Sequence, residues 1–208
     1  QQIEFDLSSG GSINVKSWDN DQAEITYSDH SRSVDDYEIS IVETSNGIEI
    51  SSDLLKNKKQ GSSLQIDVKV PRNTDIKIRR SAGGGIDIDG LEGTFSGRTA
   101  GGSINIMNSS GRVNLRTGGG SVLIKDSSLE GEVHTGGGEV LVANVIGDFK
   151  AHSGGGNVVY RNVRTNNGEI IAPNNLKVGN GDVDTVLISS AGGSIDVPSA
   201  MEGANVST

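Results

Sequence analysis

Cysteine is absent from the 208 residues, which removes disulfides, thiolate metal ligands and thiol nucleophiles. Aromatic residues make up 3% of the chain and apolar residues 33%, a thin supply for the interior of a broad globule. An elongated repeat needs less, because each unit buries its face on the next. Only three prolines occur, so neither collagen nor a proline-rich linker fits. No apolar run approaches the roughly 20 residues of a membrane span. Basic runs are missing too, and the net charge is −9, which argues against nucleic acid and anionic membrane surfaces as partners. The chain starts at Gln1 rather than Met, and removal of an export signal is one reading of that start.

Glycine is abundant instead: 30 residues, roughly twice the usual share. Gly83, Gly101, Gly119, Gly137 and Gly155 stand 18 residues apart, each followed by a second Gly. The fourth position of every row is β-branched: Ile86, Ile104, Val122, Val140 and Val158. The sixth is Ile88, Ile106, Ile124, Val142 and Tyr160. Apolar residues two apart are the signature of a strand with one buried face. A phosphate-cradling loop would need a helix after the glycines, and a β-branched strand follows them here.

A second strand lies nine residues further on, holding Phe95, Val113 with Leu115, Val133, and Phe149 with Ala151. Each row then closes on Thr99, Thr117, Thr135 or Ser153. The pattern predicts an all-β chain, a single-stranded parallel β-helix or β-solenoid of about 18 residues per coil over 81–165, with strands about 4.8 Å apart. Analogy with larger β-helices makes a right-handed coil the expectation. Residues 1–80 read as more irregular coils, with "GGSINV" at Gly10–Val15. Residues 166–208 read likewise, with "GEII" at Gly168–Ile171, "GDVDTVLI" at Gly181–Ile188 and "GGSIDV" at Gly192–Val197. Asp53–Ser63 reads as a polar loop, and 1–208 as one domain.

Outward columns hold the candidate sites. Arg98, Arg116, His134 and His152 share one register, a basic ladder along which an acidic glycan would fit. The competing reading is a solvated face with Arg–Glu pairing. Two histidines 18 apart are too few for a metal site without a third ligand. Calcium rolls share the row length but need Gly and Asp where these rows place Ile or Val. Asp87 with Asp89, and Asp182 with Asp184, read as solvated carboxylates. The column Asp87, Asn105, Leu123, Leu141, Val159 turns from polar to apolar. Its apolar end is either covered by another part of the chain or used as an interface. Glycoside cleavage needs two carboxylates placed across a bond, and no such pair is legible, so the expectation is a protein without catalytic residues, cofactor or metal.

The stretch "GGSINVKSWDNDQAEITYS" (Gly10–Ser28) and the stretch "VPRNTDIKIRRSAGGGIDIDGLEG" (Val70–Gly93) resemble a bacterial family of cell-envelope adhesin domains. Its pattern is GGSI-x-V, a Trp-Asp pair matched by Trp18 and Asp19, then V-P and a Gly-rich strand repeat. The five rows continue the resemblance to about Arg161. It implies a β-solenoid fold, export to the cell surface or periplasm with an anchor through a removed segment, and no catalytic residues. The expected function is non-enzymatic binding or assembly, with an acidic glycan, another envelope protein or a second copy as partner. The alternative is a polysaccharide-binding or polysaccharide-cleaving β-helix protein.

Overall fold

A computed structural model describes residues 1–30, 34–55 and 64–164, with short strands at 176–178, 187–189, 195–196 and 205–207. The strand expected at 168–171, most of those expected at 181–188 and 192–197, Asp182 and Asp184, and residues 56–63 of the polar loop lie outside the described residues. The chain is all-β, with one 3-10 turn at Val34–Asp36 and no α-helix among the described residues. Seventeen of the strands among the described residues join one sheet. That sheet is mixed rather than purely parallel, and strongly curled.

The strands are β1 (Gln2–Leu7), β2 (Ser12–Trp18), β3 (Glu24–Asp29), β4 (Tyr37–Thr44), β5 (Gly47–Leu54), β6 (Leu64–Pro71) and β7 (Asp75–Ser81). They continue as β8 (Ile86–Asp89), β9 (Glu92–Thr99), β10 (Ile104–Met107), β11 (Ser110–Thr117), β12 (Val122–Thr135), β13 (Val140–Ile146), β14 (Phe149–Ser153) and β15 (Val158–Arg164). One parallel ladder runs β6–β2–β8–β10–β12–β13–β15. The other runs β5–β1–β7–β9–β11–β12–β14. Strand β12 belongs to both, its first residues pairing with β10 and its last with β11, so the sheet curls along its length.

The repeat length of the sequence reappears as pairing. Ile86, Ile104, Val122, Val140 and Val158 are matched in one register, and all five are buried. Alternation points the intervening residues outward. The second strand supplies Phe95, Val113, Gly131 and Phe149 as the neighbouring column. All three phenylalanines of the chain are fully buried, so the scarce aromatics are spent on the interior.

Two corners explain residues that the alternation leaves unexplained. Asn108, Asp126 and Asn144 adopt φ of 51°, 51° and 55°, a left-handed conformation that Asn and Asp tolerate better than other non-glycine residues. Asn144 Nδ2 donates to Asp126 Oδ1 at 2.7 Å. At the opposite corner the closing hydroxyls are buried. Thr117 Oγ1 donates to the Gly102 carbonyl at 2.7 Å and accepts from the Gly120 amide at 3.2 Å. Thr135 repeats this with Gly120 and Gly138, and Ser153 with Gly138 and Gly156. The buried hydroxyl thus links the opening glycines of its own row to those of the next, satisfying backbone groups that would otherwise be orphaned.

Residues 1–80 are less irregular than their sequence suggests. Strands β1 and β2 are fully registered, but out of chain order: β1 lies between β5 and β7, and β2 between β6 and β8. The excursion from β3 to β6 closes one end. There β3 pairs antiparallel with β6, and β4 antiparallel with β5. Trp18 lies beside this end, its Nε1 donating to the Gln22 carbonyl at 2.9 Å and its ring 5.5 Å from Lys69 Nζ.

Candidate ligand-binding face

Strands β9, β11, β12 and β14 place Arg98, Arg116, His134 and His152 directly beside one another, one per row. The alternation that buries Leu115 and Val133 turns these side chains outward. Arg98, Arg116 and His134 are exposed, and His152 is half-buried. The two histidine rings lie 6.4 Å apart, tilted by 37°. No cluster of three metal-capable side chains occurs among the described residues.

The ladder extends further than the sequence indicated. Pairing between β1 and β7 shifts after Phe5, so that Asp6 faces Arg80. This bulge adds Arg79 on the same strand, and bulges commonly re-aim side chains. Ser81 then accepts the Ala100 amide just as Thr99 accepts that of Gly118, which puts Arg80 in the row position of Arg98. The column therefore reads Arg80, Arg98, Arg116, His134, His152. Sequence reasoning missed Arg80 because the bulge breaks the spacing; the doubled "RR" before Ser81 was the available signal.

Acidic partners cover part of this face. Arg116 Nη2 lies 2.9 Å from Glu132 Oε1, and Arg80 Nε 3.0 Å from Asp6 Oδ1. Arg79 contacts Glu4, with Lys77 Nζ 3.1 Å from the same carboxylate. Arg98 has no ion pair among the described residues. The Arg–Glu pairing read as the bland alternative is therefore present, though incomplete. Exposed pairs of this kind contribute only about 0.2–1 kcal/mol. Adjacent strands lie about 4.8 Å apart, so the neighbouring cations Arg98 and Arg116 repel one another weakly across solvent. An anion laid across them would relieve that repulsion. A shallow cleft lined by Thr94, Arg112, Asn114 and Glu130 adjoins it.

Burial holds the His152 pKa below the ordinary histidine value; Glu132 opposes this, while His134, Lys150 and Arg116 add to it. The unfolded chain therefore takes up a proton first as pH falls below about 6.5. Stability is full above that value and declines as pH drops towards the lower folded pKa. Thermal melts at stepped pH values check this: His152→Asn flattens the slope in that window.

The apolar column is equally well registered, with Leu123 beside Leu141 and Leu141 beside Val159. All three are half-buried; the register continues to Asn105 beside Leu123 and to Lys177 beside Val159. The polar end of the column is hydrogen-bonded along its length. Asn14 Nδ2 donates to Asp67 Oδ1 at 2.8 Å, and Asn105 Nδ2 to Asp87 Oδ1 at 2.6 Å. Asp89 accepts from Asn108 Nδ2 at 2.8 Å. These carboxylates orient neighbouring amides.

No helix among the described residues is long and apolar enough to cross a membrane. The chain matches no family model and no curated protein. Among solved structures it is similar to one described as a "putative cell adhesion protein" from Clostridium sporogenes ATCC 15579. The likeness has 12% identity and a TM-score of 0.35, over 91% of this chain and 92% of that one. A TM-score this low is not evidence of a shared fold, and the functional reading comes from this chain's own geometry.

Proposed function

We propose that this chain is a non-enzymatic, exported cell-envelope protein of adhesin type, a single β-solenoid domain whose regular outward columns serve binding or assembly. The winding is supported by two parallel ladders sharing β12 and by rows matched at the spacing of the sequence repeat. Parallel connections within one sheet are right-handed in nearly all proteins, which favours a right-handed coil. The ligand is an acidic glycan lying along Arg98, Arg116, His134 and His152, with Arg80 extending the track. The observation that carries this is the column itself: two arginines and two histidines in one outward register, with Arg98 in no ion pair among the described residues. The Leu123, Leu141 and Val159 ladder is the complementary surface, suited to assembly with another envelope protein or a second copy.

A glycan-cleaving reading needs an acid held in an apolar pocket and a second carboxylate across the bond. Asp21 and Glu43 do line one cleft, but both are exposed to water. Binding without cleavage fits this setting better.

The test is calorimetric titration with alginate, a linear polyuronate, and with neutral dextran as control. Wild type binds alginate, more weakly at high salt and more tightly as His152 gains a proton below its ordinary range. Arg98→Ala combined with Arg116→Ala weakens binding at least tenfold while leaving the melting curve nearly unchanged. Equal affinity in the double variant, or equal binding of dextran, would sink the proposal.

A further inference from the structure

The end closed by β3 and β4 carries a second surface, with chemistry opposite to that of the ladder. Strand β4 pairs with β5 on one side, and no second pairing partner occurs among the described residues. Such an edge leaves a row of backbone donors and acceptors open. Natural edges are blunted with charged side chains, proline or bulges; β4 has no lysine, proline or bulge, and its only charges are Glu38 and Glu43 towards its ends. Its centre is instead apolar and exposed, Ile41 at 43% and Val42 at 52%.

The charged side chains of strands β4 and β5 themselves are all acidic, although Arg79 Nη1 reaches Glu49 Oε1 at 3.9 Å from β7. Residues 34–55 contain Asp35, Asp36, Glu38, Glu43, Glu49 and Asp53, and no Lys, Arg or His. Glu38 is the direct cross-strand partner of Asp53, a like-charge pairing that destabilises a sheet. At the other end of β4, Glu43 and Asp21 wall a cleft together with Thr44 and Ile48. An apolar centre, a like-charged cross-strand pair and an acidic cleft therefore occur along one strand, whose second edge from Glu38 to Thr44 has no pairing partner among the described residues.

We propose that the free edge of β4 captures an extended, cationic segment of a partner polypeptide by strand addition. Main-chain hydrogen bonds along the edge supply affinity. Alternate side chains of the added strand face Ile41 or Val42, and a lysine or arginine enters the cleft between Asp21 and Glu43. A second copy of this chain is the weaker occupant, because apposing two such edges sets the same carboxylates against each other. This surface is independent of the basic ladder.

Fluorescence anisotropy with a labelled peptide as long as β4, alternating lysine and valine, tests the proposal. Three controls accompany it: the same peptide with glutamate for lysine, and two versions N-methylated at alternate backbone positions in either register. The lysine peptide binds. At least one N-methylated version loses tenfold or more in affinity, and the glutamate peptide does not bind. Glu38→Lys combined with Glu43→Lys weakens the lysine peptide at least tenfold without shifting the melting curve. Failure of the lysine peptide to bind would overturn strand capture. Equal binding of all N-methylated forms would do the same, reducing the contact to charge attraction. A wild-type dimer in light scattering that the charge-reversed variant splits would assign the edge to a second copy, against the proposal.

Discussion

Gly120→Val abolishes folding or lowers stability by more than about 4 kcal/mol, in the tail reserved for mutations with a specific steric cause, whereas Gly119→Val folds almost as wild type. The two glycines are adjacent and look equivalent in every row. A Cβ on Gly120 would collide with the carbonyl of Gly102 and crowd the amide of Ser103. Those atoms are backbone held by the ladder, so they cannot move aside as a flexible side chain would. A Cβ on Gly119 meets nothing within 4 Å. The same contrast separates Gly102 from Gly101 and Gly138 from Gly137. With total stability of about 5–15 kcal/mol for an ordinary domain, the first substitution leaves little folded protein. Urea titration followed by circular dichroism reads the difference. Equal losses at both positions would mean that the glycine pair is kept for chain flexibility rather than for close approach of neighbouring rows.

Phe95→Ala costs about 3–5 kcal/mol, the range for removing a buried aromatic ring. Phe95 is fully buried and lies in register between Ile76 and Val113. Its strand pairs it with Gly97 at the neighbouring inward position, where the next row has Leu115. The ring is thus the bulk of what β9 contributes to a thin interior, with the branched side chains of Ile76 and Val113 held on either side by the ladder. Denaturant midpoints compare it with Val113→Ala, which removes less volume from the same column. A smaller loss at Phe95 than at Val113 would show that the interior collapses around the missing ring.

Much of this arrangement is legible in short stretches of sequence. Alternation in "SINIM" and "SVLIK" selects one buried face, because side chains on a strand point to opposite sides in turn. The constant spacing then matches Ile104 to Val122 and Val122 to Val140, since any slip would turn a row's apolar residues outward. The basic ladder followed from the same register, as Arg98, Arg116, His134 and His152 stand at one position of their rows. These features are local or strictly periodic, so they survive without knowledge of the folded chain.

Other features depend on which distant segments meet. The sequence places β1 first, yet the fold sets it between β5 and β7, and nothing in "IEFDL" encodes that choice. Arg80 joins the ladder because it bonds Asp6, 74 residues away, after a bulge that hides its register. Leu123, Leu141 and Val159 carry the same alternation whether covered or exposed. The two glycines of each pair read identically, but only one lies under a neighbouring carbonyl. By itself, then, the sequence determined the strands, the buried face and the row length, because these follow from backbone geometry and solvent. Tertiary structure alone decided the order of the rows, the antiparallel end and the contacts of each outward charge, because these depend on close approaches between segments far apart in the chain.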